Sequence, residues 1–181
     1  MTVYEAVCTP EAVYTTVGSP LGELLLVGQE SAAARGGVAL VSLSVPGQKG
    51  GVSVGDAAGA GRRRDPAAFE WIAGQLRTYF AGGSTGFAID YAVGGTDFQQ
   101  RVWAELDSLP YGSTVSYGEL AGRVGLSGAG VRAVGTAIGR NPLLVVRPCH
   151  RVIGADGALR GYAGGLERKR WLLGLEGAPA S

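Results

Sequence analysis

Five consecutive residues, Pro148-Cys149-His150-Arg151-Val152, set one of two cysteines beside the only histidine in the chain. A thiol attacks carbon only as its thiolate, and an imidazole is the usual group to remove its proton near neutral pH. The pair therefore has the makings of nucleophilic chemistry, with Cys149 attacking and His150 as base. Adjacent in sequence, the two side chains should diverge, so they need not touch. A Cys-His pair alone reads more readily as a small buried hydrophobe beside a satisfied loop residue, and the surrounding residues decide against that here. One histidine and two distant cysteines assemble no zinc site, and no phosphate loop or dinucleotide fingerprint accompanies them.

The elements that position these residues can be read from pattern. Residues 14–17, 23–27 and 38–45 are short β-prone runs punctuated by glycine and proline. Residues 46–61 lack periodicity and predict a mobile loop. Asp65-Pro66 then opens a helix, with Phe69, Ile72, Ala73, Leu76 and Phe80 at helical spacing and Gly82-Gly83 as its stop. Nothing chemical stands out in this half, which reads as a scaffold. Residues 91–95 form the junction. Beyond it, Thr96 with Gln99 and Ser116 with Glu119 are capping-box patterns, each opening a helix. Phe98, Val102, Leu106 and Leu109 stripe the first of these until Pro110 ends it. A glycine-rich turn over residues 125–130 leads to a third helix over 131–139. Two short helices around a glycine turn, the second bearing arginine, fit a helix-turn-helix or an ordinary helical hairpin. The expected organisation is an α+β chain with an N-terminal domain over 1–94, a mostly helical domain over 95–176 and a tail over 177–181.

Composition narrows the class. The chain has 181 residues, 46% of them hydrophobic, enough for a real core. Two separated cysteines suggest a reducing compartment and not a disulfide framework. The first residues lack a signal-peptide pattern, and the longest aliphatic runs, such as residues 143–146, are too short to span a bilayer. A soluble, cytoplasmic protein of bacterial type is expected, with no membrane partner. Net charge is only +1, but residues 113–170 carry 9 basic and 3 acidic side chains, 8 of the basic ones arginine. That asymmetry fits a polyanion-binding face or a solvated arginine-rich surface.

The Cys149 pentapeptide sits among further blocks. Arg132-Ala133-Val134-Gly135 runs through Arg140 to Asn141-Pro142 before it, and Gly161-Tyr162-Ala163-Gly164-Gly165 and Trp171-Leu172-Leu173 with Glu176 follow. Upstream stand Thr96-Asp97-Phe98-Gln99, Val102-Trp103, Pro110-Tyr111-Gly112 and Ser116-Tyr117-Gly118-Glu119-Leu120. In order and spacing these blocks resemble the O6-alkylguanine-DNA alkyltransferases, densely over residues 95–176. Before that the likeness is thin, resting on Ser19-Pro20-Leu21-Gly22 and on Gln75-Leu76 through Tyr79-Phe80.

The resemblance implies an RNase H-like N-terminal domain and a helix-turn-helix C-terminal domain. It implies repair of double-stranded DNA containing O6-alkylguanine, and optionally O4-alkylthymine, by a monomer that needs no cofactor or metal. The alkyl group would pass once and irreversibly to Cys149, Cys8 remaining unlabelled. His150 would take the thiol proton through a water, with Glu176 orienting the imidazole. Tyr162 would donate to the departing base, and the Asn141 amide would tie the helix-turn-helix to the cysteine loop. Arg132 would fill the gap left by the flipped nucleotide, and Tyr117 would press on the adjacent phosphate. Val131, Gly135 and Arg151 complete the expected DNA contacts. Pro148, Val152, Ala163, Gly164 and Ile138 complete the expected substrate pocket.

The sequence also departs from the family pattern. Gly130-Val131 stands where two small residues are usual, in a turn one residue longer and without its proline. Arg147 replaces an aliphatic residue, and Ala163 replaces a serine found in some relatives. These changes bear on DNA docking more than on the chemistry. Three other classes are weighed: a lesion-binding relative without catalysis, a transcriptional regulator and a cysteine hydrolase. Cys149 opposes the first, the absence of any effector or dimerisation feature the second, and the absence of an oxyanion motif the third.

Overall fold

Short β-prone apolar runs fold into an antiparallel meander of β1 (Ala12–Ser19), β2 (Gly22–Glu30) and β3 (Val38–Ser44). The computed structural model describes residues 11–179, so Cys8 lies outside the described residues. At the β1–β2 turn the Ser19 hydroxyl donates to the Gly22 carbonyl (2.7 Å) and accepts from Leu21 N (3.1 Å), while Gly22 takes φ +104°. A two-residue strand, β4 (Arg63–Arg64), adds parallel to β1 and gives the order β3-β2-β1-β4. Leu24, Leu26, Leu40 and Leu43 join Phe69, Ile72 and Leu76 in the main core. Those last two belong to α2 (Glu70–Phe80), preceded by a 3-10 turn, Ala67–Phe69.

Residues 46–61 are not the featureless loop their composition predicts. They contain α1 (Val54–Gly59), opened by a capping box in which Asp56 N donates to Ser53 Oγ and Ser53 N to Asp56 Oδ2. Ala57 packs with Tyr14, Leu25 and Val27 in a second, smaller core cluster. So short a helix carries one buried residue, too few to produce a period.

The two later capping boxes form as read. Thr96 opens α3 (Asp97–Asp107) and Ser116 opens α4 (Tyr117–Arg123), each side chain accepting from the backbone three residues on. Residues 124–129 lead into α5 (Gly130–Gly139), and α3, α4 and α5 pack on one another. A parallel bridge of β5 (Val115–Ser116) with β6 (Val152–Ile153) and a last helix, α6 (Leu166–Leu175), complete the chain. The architecture is α+β, as expected.

The outer edge of β3 joins the halves. Leu40 N donates to the Asp90 carbonyl (2.8 Å) and Ala92 N to the Leu40 carbonyl (2.9 Å). Further along, Leu43 N donates to Pro142 O (2.9 Å) and Leu144 N to Leu43 O (3.2 Å). An open edge is thereby covered by the chain itself. One apolar cluster runs across the seam, from Leu24 and Leu43 to Leu143, Val152 and Leu172.

Candidate active site

Cys149 sits in a 3-10 turn, Cys149–Arg151, that follows a tightly bound loop. Asn141 organises that loop: its amide nitrogen donates to the carbonyls of Leu143 (3.2 Å) and Arg147 (3.3 Å), and its oxygen accepts from Leu143 N (3.0 Å). Cys149 N donates to the same Arg147 carbonyl at 2.8 Å. Within the loop, buried Val145 holds φ +69°, a strained conformation for a β-branched residue. The thiol is 4% exposed, and burial pushes its pKa up while Asn141 opposes this.

His150 is fully buried, and its Nε2 lies 2.8 Å from Glu176 Oε1. Glu176 caps the end of α6, where the helix dipole disfavours a carboxylate. Specific partners compensate. Arg151 donates from Nε (2.9 Å) and Nη2 (2.8 Å), and the Tyr79 hydroxyl donates at 2.6 Å. Burial raises the Glu176 pKa, but the hydrogen bonds from His150, Arg151 and Tyr79 outweigh it and leave the carboxyl well below its usual range. An ionised carboxylate accepts only, so His150 Nε2 carries the proton and Nδ1 keeps a free lone pair. That Nδ1 is buried without a hydrogen-bond partner. Burial also lowers the imidazole pKa, against the pull of Glu176, so the ring is a neutral base.

Arg151, expected on DNA, is corrected here. It is 7% exposed, and its third donor, Nη1, reaches the Leu109 carbonyl at 2.6 Å. Its charge is spent balancing Glu176. Tyr79 comes from the half expected to be only a scaffold, which therefore supplies a ligand to the Glu176 carboxylate.

Cys149 opens onto a cavity of about 900 Å³ whose lining also includes Tyr117, Gly135, Ile138, Asn141, Tyr162 and Ala163. The Tyr162 hydroxyl is buried and unpartnered, and burial together with the Cys149 thiolate raises its pKa, so it stays a donor. Gly164 lies behind: a Cβ there would come within 2.9 Å of the Tyr162 ring and 3.2 Å of Val45. Pro148 and Val152 are buried but do not line the cavity, because Val152 pairs with Val115 in the β5–β6 bridge. The Tyr117 hydroxyl donates to the Arg160 carbonyl at 2.8 Å, and burial pushes its pKa up to about 12.

A second residue escaped sequence reasoning. Lys169 is fully buried on α6, and its ammonium donates to the carbonyls of Val152 (2.6 Å), Arg160 (2.9 Å) and Gly161 (3.1 Å). Burial lowers its pKa to about 8. Its spacing to Leu172 and Leu173, three and four residues on, marks the apolar face and was the available signal.

The basic excess over 113–170 is less of a face than its count suggests. Arg147, Arg151 and Lys169 are buried, and Arg160 pairs with Asp156 at 2.7 Å. Arg147 binds Asp107 at 3.1 Å and lies over the rings of Trp103 and Tyr91. Arg123, Arg132, Arg140 and Arg170 are exposed. Arg132 projects from the first turns of α5 and has no ion-pair partner among the described residues, while Val131 beside it packs partly into the core.

Known proteins are similar to this chain in sequence and fold. Residues 97–178 match the family described as 6-O-methylguanine DNA methyltransferase, DNA binding domain. A methylated-DNA–protein-cysteine methyltransferase from Mycobacterium bovis is 46% identical over 163 residues, 90% of this chain and 91% of its own length. One from Methanosarcina acetivorans is 42% identical, covering 91% and 98%. A crystal structure of Mycobacterium tuberculosis O6-methylguanine methyltransferase superposes with a TM-score of 0.78 at 45% identity, covering 94% of this chain and 95% of that one. The Mycobacterium tuberculosis OGT in complex with DNA gives 0.79 at 45% identity, covering 92% and 95%. On this agreement of sequence and fold, the chain belongs to the methylated-DNA–protein-cysteine methyltransferase family.

Proposed function

We propose that the protein repairs duplex DNA by moving the alkyl group of O6-alkylguanine irreversibly onto Cys149, one molecule of protein per lesion. The observation that carries this reading is a pair of buried, unpartnered atoms beside the cysteine: His150 Nδ1, an acceptor, and the Tyr162 hydroxyl, a donor. Alkyl transfer from an aryl ether to sulfur needs one of each. The thiol proton passes by way of a water to His150, whose ring is fixed by Glu176. The thiolate attacks the alkyl carbon, the S–C bond forms as C–O6 breaks, and the electron pair stays on the purine. Tyr162 stabilises the developing charge on O6, and guanine takes up a proton as it leaves. The thioether has no leaving group that water could displace.

The target carbon is buried in duplex DNA, so the nucleotide enters the cavity flipped. In this reading α4 and α5 act as a helix-turn-helix, with α5 in the minor groove, Arg132 in the vacated stack and Tyr117 against the neighbouring phosphate. The division into residues 1–94 and 95–176, a monomeric state and a cytoplasmic location belong to the same reading. Among the described residues no helix is long and apolar enough to cross a membrane. Intact mass after incubation with a duplex containing O6-methylguanine tests the proposal. One added methyl per chain, mapped to Cys149, is expected; repeated turnover or a label on Cys8 would overturn it.

A further inference from the structure

The cavity beside Cys149 is larger than a methylated base requires. Its volume of about 900 Å³ lies near the top of the roughly 300–1,000 Å³ range that encloses a drug-sized ligand. Part of its wall comes from the sheet half: Ser42 on β3 and Gln48, Lys49 and Gly51 in the segment before α1. That segment is anchored. Lys49 N donates to the Ala163 carbonyl (3.3 Å), beside Tyr162, and Ser44 Oγ donates to the Val52 carbonyl (3.0 Å).

The chemistry of this wall is one-sided. The Ser42 hydroxyl is buried without a partner. Gln48 spends its oxygen on Val45 N (3.1 Å), which leaves its NH₂ group to donate. Lys49 is exposed and in no ion pair among the described residues. Arg140 is a second cation on the lining, and no aspartate or glutamate lines the cavity.

We propose that this wall is a subsite for the far end of larger O6 substituents, and that Lys49 makes it select chains ending in a carboxylate. The inference rests on Cys149 being the alkyl acceptor. The transfer itself is unchanged: sulfur bonds to the O6-linked methylene, C–O6 breaks with its electron pair left on the purine, and guanine takes up a proton. The carboxylate is a spectator that holds the chain in line.

Free guanines separate this role from contact with the DNA backbone, since they carry no phosphate. Two are compared, each with a five-carbon O6 chain ending in a carboxylate or in a carboxamide, with a duplex containing O6-methylguanine as reference. Wild-type protein should be alkylated faster by the carboxylate, by about three- to fivefold for an exposed charge pair. Lys49→Gln should erase that preference and Lys49→Glu reverse it. A wild-type ratio of one, or a preference that survives Lys49→Glu, overturns the subsite. If a duplex containing O6-methylguanine reacts normally while the ratio is one, the subsite alone falls; if that duplex fails to react, the transfer reading falls and the subsite with it. Should Lys49→Glu slow transfer only from duplex DNA, Lys49 serves a backbone phosphate and the subsite is again overturned.

Discussion

Two arginines nineteen residues apart in sequence, Arg132 and Arg151, mark two regions that use the same side chain in opposite ways. Around Arg151 each guanidinium nitrogen donates internally, to Glu176 or the Leu109 carbonyl, and the cluster is buried. Around Arg132 the helix face is exposed and its charge is unpaired among the described residues. The buried cluster pays for its charges by exact partnering, because an unmatched charge there is costly. The exposed face leaves its charge available for phosphate. Position in the fold, and not residue type, decides whether an arginine holds the protein together or meets another molecule.

Four measurements test this contrast, from the largest effect to the smallest. Cys149→Ala should abolish transfer outright, with no alkyl mass gained on any duplex substrate, while a gel shift still detects DNA binding. Glu176→Gln should destabilise the fold by about 3–5 kcal/mol, because it strands a buried Arg151. Chemical denaturation measures this, and a loss below about 1 kcal/mol would erase the distinction between the regions. Arg132→Ala should leave stability within about 0.5 kcal/mol of wild type. It should still slow transfer from duplex DNA more than from free O6-benzylguanine, by an unstacking cost of about a few kcal/mol. Equal losses on the two substrates would remove the finger role.

The smallest effect is a dependence on pH. The folded pKa of His150 is depressed, so below an unfolded value of about 6.5 the unfolded chain binds a proton that the folded chain refuses. Stability therefore falls as pH drops through that value, by up to about 1.4 kcal/mol per pH unit. With one histidine in the chain, His150→Gln should flatten the slope between roughly pH 6.5 and 5. A slope unchanged in the variant would assign it to another group. The depressed Glu176 carboxyl acts further down: its stabilisation is full above the ordinary carboxyl pKa of 4.5 and is lost in stronger acid.

Local features were the legible ones. Thr96 with Gln99 and Ser116 with Glu119 lie three residues apart, and both boxes form where the pattern places them. Cys149 and His150 were visible as neighbours, while Glu176 was expected beside His150 only through the family resemblance, and the two meet at 2.8 Å across 26 residues. What escaped notice depends on distance or brevity. Tyr79 meets Glu176 from 97 residues away, and nothing in its own helix distinguishes it from a core aromatic. Arg151 lies within the motif and the resemblance placed it on DNA, whereas only the packed structure reveals that it is buried. The Val54–Gly59 helix has one buried side chain and glycines at its second and last positions, so its capping box was its only signature.

The bond from Tyr79 to Glu176 has a consequence for the order in which the chain is made. Tyr79 leaves the ribosome first, Cys149 later, and Glu176 27 residues after that. At about 5–20 residues per second, the cysteine exists for roughly 1–5 s before the carboxylate that orients its base is synthesised. During that interval His150 lacks the carboxylate that fixes its tautomer. The base beside Cys149 is thus fully oriented only once residues 97 positions apart have met.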